Sequence, residues 1–194
     1  MRHDIVVEGY GFRLRPIQDQ DAPFILSLRQ DSELGRHLHP TPGGVEGQVA
    51  WLQNYYARPG DYYFVIERRT CRTPEGVISI YDIHSGGASG EWGRWILKKG
   101  SLAAVESAWM IYRCGLDVLG LSDVYCRTLA DNASVVSFHD SCGPSARRVI
   151  ANYFNINNQL FDAVEHRLNR ADWPAFAPRL DRLAMLTSRR IAHD

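Results

Sequence analysis

The chain has 194 residues, and its 22 basic side chains equal its 22 acidic ones in number. This length is enough for one sizeable domain, and a formal net charge of zero argues against a nucleic-acid-binding surface, which needs an excess of Lys and Arg. No stretch approaches the roughly 20 consecutive apolar residues that span a bilayer, and the first residues lack the pattern of a signal peptide. We therefore expect a cytoplasmic protein that binds neither nucleic acid nor membrane.

The cysteines at positions 71, 114, 126 and 142 are scattered along the chain. None forms a C-x-x-C pair and no pair of histidines flanks them at zinc spacing, so the sequence predicts free thiols and no metal site. One alternative stays open, because His139 precedes Cys142 closely and could activate it as a nucleophile.

The first half of the chain predicts four strands and two helices. The first helix starts with acidic residues followed by Ala22 and Pro23, and aromatic or β-branched runs mark the later strands. The strands are predicted at residues 12–17, 62–68, 77–83 and 91–97, and the helices begin at residue 22 and cover residues 45–57.

The second half begins with a helix that is apolar nearly all round, which is typical of a helix buried on more than one face. Pro174 and Pro178 are expected to interrupt the last helix early. The helices are predicted at residues 102–116 and 132–141 and from residue 173, and the strands at residues 123–128, 149–156 and 160–168.

This order of elements predicts an α/β fold whose sheet mixes parallel and antiparallel pairs. The strand–helix–strand unit over residues 91–128 should form a right-handed crossover. We expect a single domain over residues 1–173. Residues 174–194 are expected to form a C-terminal helical extension that packs on this domain or on a second copy of the chain, so a homodimer is possible.

The segment 131–143, with the sequence DNASVVSFHDSCG, is the most informative motif in the chain. Asn132 follows a strand and opens a short helix, His139 lies seven positions later, and Gly143 follows the helix. Together with the element order, this motif resembles the GNAT superfamily over residues 12–173, within the branch of ribosomal-protein and amino-sugar N-acetyltransferases. The resemblance implies a GNAT fold: a central mixed, largely antiparallel sheet flanked by helices.

The resemblance also implies roles for the residues of this motif. In the family the Asn contacts the pantetheine arm of acetyl-CoA or supports the loop beside it, and a Tyr protonates the departing thiolate. His139 occupies the Tyr position and Pro144 that of the usual Phe, so His139 is implied as the general acid, acting as an imidazolium with an ordinary pKa near 6.5. The alternative is that Asn132 only caps a helix and His139 is a polar surface residue.

A second resemblance covers residues 95–108, which align with the loop that holds the pyrophosphate of coenzyme A in this family. A helix N-terminus offers unpaired N–H groups to phosphate, and Gly lets the backbone approach closely. Lys99, Gly100 and Ser101 fit the pattern, whereas Leu102 or Ala103 occupies the second Gly position and the loop is shorter than usual. An ordinary Gly-containing loop remains the alternative.

The preceding strand is implied to carry the reacting group. Gly93 within its aromatic sequence indicates a bulge or a close approach of another backbone. In the family this strand splays from its neighbour, and its main chain contacts the acetyl group and the pantetheine arm, which assigns those contacts to Ile96 and Leu97.

The resemblance thus implies acetyl-CoA, or coenzyme A, as co-substrate, with no metal. A general base is also needed, and the candidates are Glu91, at the start of the cofactor strand, and Asp82 or His84, at the end of the strand before it. The implied catalytic residues are His139, Glu91 and Asp82. The implied cofactor-binding residues are Ile96, Leu97, Lys99, Gly100, Ser101, Leu102, Ala103, Asn132 and Ser137.

The acceptor is expected to be the primary amine of a small molecule such as a nucleotide-linked amino sugar, acetylated by direct transfer in a ternary complex. Aromatic and hydrogen-bonding side chains in the acceptor region suit a sugar or nucleotide, and equally a small core with amphipathic tyrosines. They are His37, His39, Trp51, Gln53, Tyr55, Tyr56, Tyr62, Tyr63 and Tyr81. Two alternatives stay open: a protein N-terminus as acceptor, and a catalytically degenerate module that binds coenzyme A.

Overall fold

The computed structural model describes residues 1–34, 42–83, 86–156 and 158–191. The predicted His37, His39 and His84 lie outside the described residues. The strands are β1 (Val7–Glu8), β2 (Phe12–Pro16), β3 (Tyr62–Arg68), β4 (Pro74–Tyr81), β5 (Ser89–Leu97), β6 (Asp123–Leu129), β7 (Ala146–Ile156) and β8 (Gln159–Asn169). The α-helices are α1 (Ala22–Gln30), α2 (Gly44–Tyr56), α3 (Ala104–Arg113), α4 (Ala133–Ser141) and α5 (Trp173–Ile191).

Within the described residues the strands form one 8-stranded sheet in the order β1-β2-β3-β4-β5-β6-β8-β7. Neighbouring strands are antiparallel except β5 and β6, which are parallel and joined through α3. The predicted mixed, largely antiparallel sheet is therefore confirmed. None of the helices in the described part of the chain combines the length and apolar character needed to cross a bilayer.

The parallel pair β5–β6 is short and then opens. Its register covers only residues 89–91 of β5 and 123–125 of β6. Beyond residue 91 the edge of β5 that faces β6 has no strand partner among the described residues, so its main-chain groups border a wedge-shaped cleft.

A β-bulge interrupts β5 beside this cleft. Val77 pairs with Ile96 and Ser79 with Gly93, so β5 contains one residue more than β4 between these pairs. Arg94, within the bulge, has φ +48°. The extra residue changes which face of the sheet the later side chains occupy, because side chains in a regular strand alternate. The bulge indicated by Gly93 is thus confirmed.

The two faces of the sheet support separate hydrophobic cores. Phe64 and Ile66 belong to the larger core, with α3 and α5, and the alternating Tyr63 and Val65 belong to the smaller one, with α1 and α2. In α5 the buried residues include Leu180, Ala184 and Ile191, which join the larger core. The last helix is therefore packed on the sheet side that carries α3.

Several element boundaries differ from the predicted ones. Helix α3 begins at Ala104 instead of residue 102, because the chain first turns at Gly100 (φ +78°), and it continues into a π-helical turn at Cys114–Val118. Strand β4 already begins at Pro74, where a proline needs no ladder donor. The expected interruption at Pro178 was wrong, since α5 runs through it.

Candidate active site

The cleft between β5 and β6 continues into a cavity of about 480 Å³. Side chains from α1, β4, β5, β6, α4 and β7 line it. They include Arg29, Tyr81, Trp92, Arg94, Trp95, Ile96, Arg127, Asn132, His139, Tyr153 and Phe154. The structure therefore brings Ile96 from the predicted cofactor strand, and Asn132 and His139 from the segment 131–143, to one cavity.

His139 lies in the interior wall of this cavity and is only 2% exposed. Its ring centroid is 5.1 Å from that of Trp92 and 6.0 Å from that of Trp95. Burial, and secondarily the charge of His166, lowers the pKa of His139 to about 3. The form at neutral pH is therefore the neutral imidazole, so the expected imidazolium with an ordinary pKa was wrong. His139 is also buried, unlike the polar surface residue of the alternative interpretation.

Asn132 is the N-cap residue of α4 and also lines the cavity. Its side chain does not cap the helix, and its Oδ1 accepts a hydrogen bond from Ser134 Oγ at 3.2 Å. Ser137, on the same helix, is exposed and lies outside the lining of the cavity. Leu97 ends β5 and pairs with Gly76, beyond the lining residues.

The predicted pyrophosphate loop leads into the N-terminus of α3 and lies outside the lining of the cavity. Lys99 is exposed and forms an ion pair with Glu33 at 2.7 Å. A Cβ on Gly100 would meet no atom within 4 Å, so this turn is open on its outer side. Ser101 Oγ accepts the N–H of Ala103 at 3.2 Å, while Leu102 packs against the larger core.

Glu91 is buried within a network of polar side chains beside the cavity. Its Oε2 accepts a hydrogen bond from Arg127 Nη1 at 2.7 Å, and its Oε1 accepts one from the Tyr81 hydroxyl at 3.2 Å. Desolvation raises the pKa of Glu91, while Arg127 and the Tyr81 hydrogen bond oppose that rise. Tyr81 and Arg127 both line the cavity, so their hydrogen bonds connect Glu91 to it.

Asp82 follows β4 in a left-handed conformation, with φ +56°, and is exposed outside the cavity lining. Cys142 is buried, and burial raises the pKa of its thiol to about 11. An activated nucleophilic thiol needs the opposite shift, so this environment gives no support to the alternative of a catalytic Cys142.

Arg94 is a lining residue that the sequence did not indicate. Its Nη1 and Nη2 donate to the two carboxylate oxygens of Asp61 at 2.6 and 3.0 Å, and its guanidinium lies 4.3 Å from the centre of the Tyr81 ring. The bulge directs this side chain into the cavity, and one Arg in a strand carries no signal for that. Of the predicted acceptor aromatics, Tyr81 lines the cavity, whereas Trp51 and Tyr63 lie beside the Arg94 guanidinium.

Strand β7 also contributes to the cavity, which sequence reasoning missed. Its register against β8 shifts between Ile150 and Phe154, with Asn152 at φ +52°. Tyr153 and Phe154, on the far side of this irregularity, line the cavity, and Tyr153 accepts a hydrogen bond from Arg127 Nη1 at 2.8 Å. The available signal in the sequence is the adjacent pair of aromatic residues, Tyr153 and Phe154, within the predicted strand 149–156.

The site suits the pantetheine arm of acetyl-CoA in one checkable respect. The open edge of β5 beyond residue 91 presents main-chain N–H and C=O groups to an extended ligand, as a sheet edge does to an added strand. Ile96, on β5, and Asn132, at the start of α4, both line the cavity. Among the described residues no group of His, Cys, Asp and Glu is arranged to hold a metal ion.

Comparison with solved structures gives close matches in fold. FdhC, described as a nucleotide-linked sugar GNAT, shares 26% identity and a TM-score of 0.77, over 93% of this chain and 98% of that one. A GCN5-related N-acetyltransferase from Brucella melitensis has 16% identity and a TM-score of 0.79, over 94% and 86% of the two chains. A spermidine N-acetyltransferase (SpeG) chimera from Vibrio cholerae and hSSAT has 17% identity and a TM-score of 0.74, over 84% and 98%.

Comparison with curated proteins gives no match. At the level of families, the acetyltransferase (GNAT) domain matches residues 12–144, which is more than half of the chain. Members of this family use acetyl-CoA. The matched segment contains the splayed strand pair, the bulge, Asn132 and His139, so the chain belongs to the GNAT family and is an N-acetyltransferase.

Proposed function

We propose that this enzyme acetylates the primary amine of an anionic small molecule, with a nucleotide-linked amino sugar as the leading candidate. One observation carries the proposal: Arg29, Arg94 and Arg127 line the cavity, and no carboxylate among the described residues does. Guanidinium groups bind phosphate and carboxylate through paired hydrogen bonds, whereas they repel a polycation. The likeness to a nucleotide-linked sugar GNAT at 26% identity supports the same acceptor class.

Two of these arginines are held in place by carboxylates behind them. Asp61 binds Arg94 through both oxygens, and Glu91 and Glu165 bind Arg127 at 2.7 and 3.0 Å. A guanidinium has five N–H donors, so these contacts leave donors for a ligand. Because the side chains are already oriented, little conformational entropy is lost when an anion binds.

Aromatic side chains supply the rest of the proposed acceptor site. Tyr81 and Tyr153 each have a hydroxyl tied to Glu91 or Arg127, which leaves their rings to border the cavity together with Phe154. Rings of this kind pack against the apolar faces of sugars and bases while their hydroxyls stay hydrogen-bonded.

Direct transfer in a ternary complex requires a base, an oxyanion site and an acid. An alkylammonium has a pKa near 10 and must lose a proton before it attacks, and we assign that proton to Glu91, reached through the Tyr81 hydroxyl or one water. Main-chain N–H groups of the open β5 edge are proposed to stabilise the oxyanion. Acetyl-CoA supplies the thioester, and the neutral imidazole of His139 is proposed to accept the second proton of the attacking nitrogen and to pass it to the departing sulfur.

Thiol release from acetyl-CoA with a panel of amines tests this function. The panel contains a nucleoside-diphosphate-linked amino sugar, the free amino sugar, spermidine and a short peptide. We expect kcat/KM for the nucleotide-linked sugar to exceed that of the free sugar by about tenfold or more, since one charged hydrogen bond contributes about 1.5–3 kcal/mol. Preference for spermidine would contradict the proposal, and preference for the peptide would favour an N-terminal acetyltransferase.

The variant Arg94→Lys tests whether the Arg94 guanidinium causes the preference for the nucleotide-linked acceptor. Lysine cannot reproduce the paired guanidinium contacts, so we expect KM for the nucleotide-linked acceptor to rise about tenfold while KM for acetyl-CoA stays unchanged. Arg13→Lys is the matched control, because Arg13 also pairs with a buried carboxylate, Glu67, but lies on β2 away from the cavity.

A further inference from the structure

A row of cross-strand neighbours leads from the cavity across the sheet to its far edge. In successive strand pairs Tyr81 pairs with Glu91, Glu91 with Tyr125, Tyr125 with Arg167 and Arg167 with Ala146. Residues directly opposite each other in paired strands lie on the same face of a sheet, so Arg167 shares the face of the proposed base Glu91. Two strand spacings place the main chain of Arg167 about 10 Å from that of Glu91.

This face is the one opposite to α3. Trp92, Val124 and Leu168 each follow or precede a residue of the row in sequence, and all three belong to the larger core with α3. Because side chains alternate along a strand, the row lies on the other face. A ligand on the row is therefore separated by the sheet from α3, whose N-terminus is the predicted site of the coenzyme A pyrophosphate.

Three arginines at the far end of the row surround one buried carboxylate, that of Glu165. It accepts hydrogen bonds from Arg127 Nε at 3.0 Å, from Arg148 Nε and Nη2 at 2.9 and 3.1 Å, and from Arg167 Nη2 at 3.3 Å. Arg167 also pairs with Asp123. The side chains of Arg148 and Arg167 are 62% and 27% exposed, whereas those of Glu165 and Asp123 are 3% and 16% exposed. The cations therefore face solvent, and the carboxylates lie beneath them.

Arg148 and Arg167 keep N–H donors for a ligand. The hydrogen bonds with Glu165 and Asp123 use two donors of each guanidinium, out of the five that a guanidinium has. The Tyr125 ring also holds Arg167 in place, since its centre lies 4.4 Å from that guanidinium. The donors are thus oriented before a ligand arrives, which limits the entropy lost on binding.

A hollow of about 330 Å³ lies at this end of the row. It is lined by Ala146, Arg147, Arg148, Glu165 and Arg167. The small side chain of Ala146, which pairs with Arg167, leaves room beside that guanidinium. Arg147 instead donates to Asp140 on α4 at 3.0 Å, so the free donors of the hollow are those of Arg148 and Arg167.

We propose that Arg148 and Arg167 bind the diphosphate of the nucleotide-linked acceptor. This inference rests on the proposed function and adds a second binding region for the same molecule. The sugar ring separates the reacting amine from the diphosphate, so the phosphates need cations at a distance from Glu91, and the row supplies them. Two guanidiniums suit two adjacent phosphate groups, because each can form paired hydrogen bonds with phosphate oxygens.

Direct binding tests this site without turnover. Uridine diphosphate, and inorganic pyrophosphate as a probe that lacks the nucleoside, are titrated calorimetrically into enzyme saturated with coenzyme A, so that the diphosphate site of the cofactor is filled. We expect both probes to bind, and each to bind about tenfold more weakly to Arg148→Gln and to Arg167→Gln. Failure of both probes to bind the saturated wild type would overturn the proposal, as would unchanged binding in the two variants. Binding that occurs only without coenzyme A would assign the diphosphate to the cofactor site and would also overturn it.

Arg72→Gln is the matched control for Arg148→Gln. Arg72 is 63% exposed and lies 3.8 Å from the buried carboxylate of Glu67, but it belongs to the turn between β3 and β4, away from the row. We expect Arg72→Gln to bind both probes as the wild type does. Equal weakening in the two variants would indicate a general effect of removing one surface charge and would count against the site. In Arg148→Gln the Glu165 carboxylate keeps Arg127 and Arg167 as partners, and urea unfolding checks that the variant remains folded.

The ratio of kcat/KM for the nucleotide-linked amino sugar to that for the free amino sugar separates this site from the proposed function. We expect Arg148→Gln to lower the ratio about tenfold, through KM for the nucleotide-linked acceptor. If the wild type prefers the nucleotide-linked acceptor and Arg148→Gln and Arg167→Gln keep the full preference, the diphosphate site fails and the proposed function stands. If the wild type shows no such preference, the proposed acceptor class fails, and the site fails with it as part of the acceptor region.

Discussion

Two buried glutamates, Glu91 on β5 and Glu106 on α3, show how similar environments serve different ends. Both are at most 7% exposed, and desolvation is the main cause that raises the pKa of each. Glu106 Oε1 accepts main-chain N–H groups from Tyr10, Gly11 and Phe12 at 2.5, 2.9 and 3.1 Å. Glu91 instead pairs with side chains that line the cavity.

The difference lies in what the partners can do. The three N–H groups belong to the β1–β2 turn and cannot be exchanged for a ligand, so Glu106 ties that turn to the helix that follows the cofactor strand. A Cβ on Gly9 would lie 2.3 Å from Glu106 Oε1, which shows how closely the backbone approaches. Tyr81 and Arg127 border open space, so the hydrogen bonds of Glu91 can rearrange around a substrate. Burial and a raised pKa alone therefore do not identify a base.

The variant Glu91→Gln should give the largest effect. The amide oxygen can still accept from Arg127 and the amide NH2 can donate to the Tyr81 hydroxyl oxygen, but the amide cannot take a proton. We therefore expect kcat to fall by about 10²–10⁴, with little change in KM for acetyl-CoA or in the unfolding midpoint. Steady-state thiol release and urea unfolding measure these quantities.

The matched control for this variant is Glu165→Gln. Glu165 also binds Arg127, at 3.0 Å, but it lies outside the cavity lining. If Glu91 only positions Arg127, the two variants should lose similar activity. Glu91 would then have a structural role only, as Glu106 has.

The variant Glu106→Ala should have the opposite effect to Glu91→Gln, lowering stability while leaving kcat unchanged. It leaves three N–H groups without an acceptor, of which that of Phe12 is buried and the other two are partly buried. We therefore expect the free energy of unfolding to fall by about 1–3 kcal/mol. The enzyme that remains folded should keep its kcat. Glu46→Ala is the control, because Glu46 also lies in the first turn of a helix but is exposed. Loss of kcat with unchanged urea unfolding would assign Glu106 to catalysis.

The sequence was sufficient for the mixed, largely antiparallel sheet, but not for the order of the strands within it. The Asn132 motif, the apolar helix and Gly93 correctly placed the strand pair, the bulge and the α4 region at one site. Arg94 could not be predicted, because its direction depends on one extra residue in β5. Nor could the ring contact between His139 and His166, whose centroids lie 5.4 Å apart, because His166 reaches this position only when β8 pairs with β6. The roles of Ser137, Asp82 and the loop residues Lys99, Gly100, Ser101, Leu102 and Ala103 stay predictions, as do the homodimer and the cytoplasmic location.

The smallest expected effect is the contribution of Glu106 to the pH dependence of stability. Its pKa is raised in the folded state, so the folded protein keeps this proton at pH values where the unfolded chain, with an ordinary pKa near 4.3, has released it. This contribution to stability is fully present below that pH, declines as pH rises towards the folded pKa and is constant above it, with a slope of at most about 1.4 kcal/mol per pH unit. Glu106→Gln should remove this decline, whereas Glu46→Gln should not. Urea unfolding from pH 4 to 7 measures the difference between each variant and wild type, and parallel curves for all three would mean that the three N–H groups fully offset the cost of burying the charge.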